Sequence, residues 1–140
     1  MSHTAHARDY DLARVLVVDA NPTSRLTLKT VLEAGGYNVD AAASAAEAVG
    51  KLDEGVYELV LSDLQMESPE AGLKVLAHAK IMDYKPATAI IQTYQEGYAG
   101  RRSSLLIEPE DVPGLLGKVA DLISQRASRR LRRELRMASV

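Results

Sequence analysis

The 140-residue chain contains no cysteine, no phenylalanine and no tryptophan. Without cysteine, neither a disulfide nor a thiolate zinc site can form. Without Phe or Trp, a core has to be packed from Val, Leu, Ile and Ala. Apolar residues make up 46% of the chain, enough for one sizeable core in one domain. No apolar run approaches the about 20 residues that span a bilayer. The opening MSHTAHARDYDL has no apolar stretch of the secretory kind, so residues 1–11 are expected to be a disordered lead-in. His3 and His6 lie there with no third ligand nearby in sequence and are read as incidental. The expected location is cytoplasmic.

Charge is unevenly spread. Residues 1–125 hold 11 Lys/Arg and 18 Asp/Glu, net −7, while residues 126–140 hold six Arg and one Glu, net +5. An acidic body carries a basic tail. The division expected from this is a domain over 12–126 and a basic extension or linker over 127–140.

Strand and helix signals alternate along the body. RVLVVD (14–19) is a continuous apolar run ending in an acid, the pattern of a strand buried on both faces. Asn21 and Pro22 start a helix that carries Leu26, Leu28, Val31 and Leu32 and ends at Gly35-Gly36. YNVDAAA (37–43) reads as a short strand, and Ser44 caps a helix that stops at Gly55. YELVLSD (57–63) is a second apolar run ending in an acid, LKVLAHAKIM (73–82) is helical, PATAIIQT (86–93) is a strand, and SSLLIEP (103–109) is a short strand. From Val112 the pattern is helical again. Five strands interleaved with helices predict an α/β fold with a parallel sheet. Such sheets form their sites at strand C-termini, where Asp19, Asp63, Thr93 and Glu108 all fall.

VLVVDANPTSR, YELVLSDLQM followed by AGLKVL, IIQT and LLIEP, in this order and spacing, resemble the response-regulator receiver domain, the CheY-like fold, over about residues 12–126. The resemblance implies a (βα)5 arrangement with strand order 2-1-3-4-5, and a non-enzymatic signalling module that meets a histidine kinase or an effector domain. By position, Asp63 matches the phosphoacceptor, Asp19 the first acid of an Mg²⁺ site and Thr93 the switch hydroxyl, with the Gln65 carbonyl as a further ligand. Mg²⁺ demands hard oxygen ligands in near-octahedral array, and phosphoryl oxygens need cations to offset their charge.

The sequence departs from that pattern at several of these positions. Ala20 stands where the second metal acid belongs, and a methyl coordinates nothing. Glu108 stands where the family has a lysine, which turns attraction for a phosphoryl group into repulsion of comparable size, about 4 kcal/mol at 4 Å and an effective dielectric near 20. Tyr94 follows the switch Thr where a small residue is usual, and Leu105 replaces the aromatic switch residue. Glu67 replaces a proline, with one extra residue between Asp63 and Gly72. The segment between Thr93 and Glu108 has no apolar helical period, so the fourth helix should be short or irregular. Taken together these departures point to a pseudo-receiver with Mg²⁺-dependent phosphorylation impaired or lost. No cofactor is then expected; Mg²⁺ enters only in the alternative, a functional receiver that accepts phosphate at Asp63, with Asp19, Asp63 and the Gln65 carbonyl as weak ligands. Asp19, Asp63 and Glu108 would form an acidic pocket with no internal cation, in which like charges raise at least one pKa. Such a pocket is read first as a fixed, hydrogen-bonded arrangement and second as a site for Ca²⁺ or Mn²⁺.

DANPT (19–23) also matches the D-x-D-x-T motif of haloacid-dehalogenase-like phosphatases with Asp19 as nucleophile, but Asn21 in place of the second acid cannot transfer protons. In the tail, Ala127, Leu131 and Leu135 recur every four residues among arginines. A linker or frayed helix end ranks first there, and a homodimer through the last helix second. Nucleic acid ranks third, because no aromatics interleave with the arginines.

Overall fold

The computed structural model describes residues 13–63, 66, 68–91, 106–107 and 112–138. In chain order these form β1 (Arg14–Val18), α1 (Pro22–Ala34), β2 (Asn38–Ala42), α2 (Ala45–Glu54), β3 (Leu59–Asp63), α3 (Pro69–Lys80), β4 (Ala87–Ile91), β5 (Leu106–Ile107) and α4 (Val112–Ala138). The strands are parallel and ordered 2-1-3-4-5. Four five-residue strands make the body of the sheet. Of the strand expected over 103–109, the described part is the pair Leu106–Ile107, beside Ile90 and Ile91 of β4. The region of the expected irregular fourth helix lies outside the described residues, as does the lead-in over 1–11.

The unbroken apolar runs are explained by burial on two sides. Val15 and Val17 of β1, with Leu59 and Leu61 of β3, face one layer; there they meet Leu28 and Leu32 of α1 and Leu115 and Val119 of α4. Leu16 and Val18, with Val60 of β3, face the other layer and meet Ala48 and Leu52 of α2 and Val75, Leu76 and Ala79 of α3. Successive strand residues alternate between faces, so a sheet covered on both faces needs every residue apolar. Each fully buried leucine contributes about 2 kcal/mol by leaving water.

Local signals set the helix starts. The Asn21 side-chain oxygen accepts from the backbone N–H of Thr23 (2.9 Å) and of Ser24 (3.0 Å), capping α1. Ser44 caps α2 by accepting from Glu47 N–H at 3.1 Å. Gly36, after α1, has φ 101°, a conformation that only glycine adopts without strain. One start differs from the expected 73–82. α3 begins at Pro69, because Ser68 supplies the cap, accepting from Ala71 N–H at 3.2 Å.

α4 has 27 residues and is about 40 Å long at 1.5 Å per residue. A five-residue strand spans only about 17 Å, so the helix outruns the sheet. Its last buried residue is Arg126; every residue from Ala127 to Ala138 is exposed. Among the described residues, no helix is long and apolar enough to cross a membrane.

Candidate functional site

β1 and β3 are neighbours, with Val18 opposite Ser62. The residues that follow, Asp19 and Asp63, therefore leave the sheet side by side at its C-terminal edge. Asp19 is fully buried and Asp63 is 2% exposed. Three contacts hold Asp19. Its N–H donates to the Ala42 carbonyl (3.0 Å), its Oδ1 accepts from Asn21 N–H (2.9 Å), and its carbonyl accepts from Arg25 Nη1 (2.8 Å). Its Oδ2 is buried without a protein partner of the ordinary kind, and the Asp63 carboxyl lies within hydrogen-bonding reach of the same side chain. Two carboxylates cannot hydrogen-bond unless they share a proton. Proton sharing with Asp63, or a cation, is what would satisfy Oδ2.

Burial pushes the Asp19 carboxyl above its ordinary pKa, against the opposing pull of the Asn21 N–H, the Asp63 contact and the Arg25 charge. The direction matches the expectation from crowded acids, but the leading cause is desolvation. The expectation of no internal cation is corrected. Arg25 sits in the first turn of α1, which begins right after the strand end, so its guanidinium folds back over Asp19. The signal was present in the stretch DANPTSR: a helix starting at Pro22 turns position 25 toward the residue it came from.

α3 presses on the end of β3. A Cβ built on Gly72 would stand 2.7 Å from the Asp63 carbonyl oxygen and 3.3 Å from Ser62 Oγ. Glycine at this point is what lets the helix come close enough to fix the backbone that carries Asp63. Ser62 is itself buried, and its Oγ makes a long hydrogen bond to the Gly72 carbonyl (3.4 Å).

Ala20 is exposed at the sheet edge immediately after buried Asp19. A divalent cation would find oxygen donors on Asp19 and Asp63 and a methyl group at Ala20, so the residues present fit Mg²⁺ only in part. Among the described residues, no group of three His, Cys, Asp or Glu side chains converges as a metal site. Gln65, Thr93, Tyr94, Leu105 and Glu108 lie outside the described residues.

From sequence alone Arg126 was counted with the other arginines of the basic tail and given no role of its own. It is 4% exposed, and it donates from Nε to the Lys85 carbonyl (2.9 Å) and from an Nη to the Tyr84 carbonyl (2.6 Å). Lys85 has φ 45°, unusual for a residue with a side chain. The arginine thus braces a strained turn just before β4.

A family profile described as the response regulator receiver domain matches residues 15–101, more than half of the chain. Over 53 residues the chain is 40% identical to a gliding motility regulatory protein of Myxococcus xanthus, which covers 38% of this chain and 7% of that protein. Over 52 residues it is 38% identical to the sensor protein EvgS of Escherichia coli, which covers 37% of this chain and 4% of that protein. The matched stretch is thus a small fraction of these curated relatives. The crystal structure of a response regulator receiver protein from Sinorhizobium medicae superposes with a TM-score of 0.70 at 24% identity, covering 84% of this chain and 98% of that chain. With its 2-1-3-4 parallel sheet and paired acids at the strand ends, the chain belongs to the response regulator receiver domain family of two-component signalling.

Proposed function

We propose that this chain is a pseudo-receiver: a signalling module that works by protein contact, with Mg²⁺-dependent phosphorylation of Asp63 impaired or lost. The reading rests on Ala20. Asp19 and Asp63 are adjacent and buried, so the frame of the phosphorylation site is kept. The position beside Asp19 that should carry a second acid carries an exposed methyl. Glu108, in the place of the family's lysine, adds an anion to the same reaction. The partner in this reading is a histidine kinase or a downstream effector domain, and the chain itself is not an enzyme.

One observation favours the alternative, a receiver that still accepts phosphate at Asp63. The orphaned Oδ2 of Asp19 is a ready cation ligand. The phosphatase reading has no such support, because the Asn21 side chain is occupied in capping α1.

The experiment is incubation with acetyl phosphate and Mg²⁺, followed by intact mass and peptide mapping. The wild-type chain should stay unmodified at Asp63. Ala20→Asp combined with Glu108→Lys should gain a phosphoryl adduct there. A stoichiometric adduct on the wild-type chain would overturn the reading.

A further inference from the structure

At the N-terminal edge of the sheet, the end away from Asp63, a cavity of about 610 Å³ opens between the C-terminus of α3, the turn before β4 and the flank of α4. Its charged lining is Lys80, Lys85, Arg126, Arg129 and Arg133, and no carboxylate lines it among the described residues. Leu122 and Pro86 give it an apolar wall. The volume is in the range of small-molecule sites, which combine apolar walls with a few fixed polar groups.

We propose that this cavity binds a small molecule carrying two or more phosphate groups, such as a nucleoside diphosphate. Three observations carry it. First, five cations gathered in a concavity repel one another unless an anion joins them. Burial and the neighbouring Arg130, Arg129 and Arg133 charges depress the Arg126 pKa, and the Glu58 charge opposes them without reversing the shift. Second, Arg126 is a fixed donor at the floor of the cavity. It is buried, and its hydrogen bonds to Tyr84 and Lys85 hold the guanidinium plane. A guanidinium has five N–H donors, more than these two contacts consume. Third, Arg126, Arg129 and Arg133 follow the i, i+3, i+7 spacing of one helix face. Their Cα positions are spread over about 10 Å of helix at 1.5 Å per residue, so two linked phosphates can engage more of the row than a single phosphate does. A diphosphate can bridge the row, and its remaining part can rest on Leu122. Extended duplex DNA fits less well, since the floor residue Arg126 is recessed beneath the helix surface.

The proposal is independent of phosphorylation at Asp63. The test is titration calorimetry in metal-free buffer at moderate salt, with ADP, pyrophosphate and inorganic phosphate as separate probes and a random duplex DNA as competitor. ADP and pyrophosphate should bind one site, with inorganic phosphate weaker by roughly tenfold or more. Arg129→Gln with Arg133→Gln replaces exposed residues by good helix formers and should weaken ADP by at least roughly tenfold. Lys80→Gln should weaken it less, and Asp63→Asn should leave it unchanged. The proposal is overturned if neither ADP nor pyrophosphate binds, if the double variant binds ADP as tightly as the wild type, or if DNA displaces ADP at matched phosphate concentration.

Discussion

At the C-terminal edge of the sheet, Asp19 is buried with one oxygen lacking a protein donor; at the N-terminal edge, Arg126 is buried almost as deeply with two carbonyls aimed at it. Both are charges inside an aliphatic protein, yet they are tolerated for different reasons. Arg126 is solvated by backbone dipoles that the fold itself supplies, so its burial is structural. Asp19 leans on Asp63 and Arg25 and keeps an unsatisfied atom, so its burial leaves room for an exchangeable partner. The carboxylate with an open oxygen sits at the C-terminal edge of the sheet, and the guanidinium that clamps two carbonyls holds the opposite edge together.

The strongest test of that distinction is Arg126→Met, which keeps the apolar stem and removes the donors. It should cost about 2–4 kcal/mol in urea unfolding, since two charge-assisted bonds are lost and two carbonyls are left facing the cavity. Arg130→Met, in the same helix but exposed and paired only loosely with Glu134 at 3.9 Å, should cost less than about 0.5 kcal/mol. Equal losses would break the distinction between the clamp and the coat.

The next effect is at the acid edge. Gly72→Ala forces a Cβ against the Asp63 carbonyl and should cost about 1–3 kcal/mol, with amide shift changes centred on Ser62 and Asp63. At Gly117 nothing lies within 4 Å of the added carbon, so Gly117→Ala should stabilise the chain by up to about 1 kcal/mol through helix propensity. A mild Gly72→Ala would show that α3 is not what fixes Asp63.

The smallest effect is a pH dependence of opposite sign at two acids. The Asp19 pKa is raised on folding, so the native state holds this proton more tightly than the unfolded chain does. Its contribution to stability falls as pH rises from the ordinary carboxylate value through the folded value. Asp19→Asn should remove that fall and raise stability at neutral pH by up to about 1 kcal/mol, since an amide can donate to Asp63. Asp40 behaves oppositely. Burial raises its pKa, but hydrogen bonds from Tyr57 (2.6 Å) and Arg14 (2.7 Å), with the Arg14 and Lys51 charges, outweigh this and hold it low. Its contribution is present above the ordinary carboxylate value and is lost as pH falls through the folded value. Stability curves of the wild type, Asp19→Asn and Asp40→Asn between pH 3 and 8 separate the two signs.

Much of this was legible in the residues. RVLVVD and YELVLSD announced strands covered on both faces, and Asn21, Ser44 and Gly55 marked helix ends where the structure has them. Ala20 was legible as the odd member of its motif. The start of α3 was less so, because Gly72 interrupts the apolar period, although the cap at Ser68 is of the ordinary kind. Arg126 was not legible at all. In a run of six arginines nothing local distinguishes the one that turns inward.

By itself the sequence determined the alternation of strands and helices, the two-sided burial of the sheet and the delivery of Asp19 and Asp63 to strand ends. Those properties follow from periodicity and capping, which act within a few residues. Only the tertiary structure decided that Arg25 closes over Asp19, that Gly72 is needed for the approach to Asp63, and that Arg126 grips a turn 41 residues away. Each of these depends on a close approach between different elements. Their chemistry is set by burial and by which polar groups face one another, and neither exists until the layers have packed.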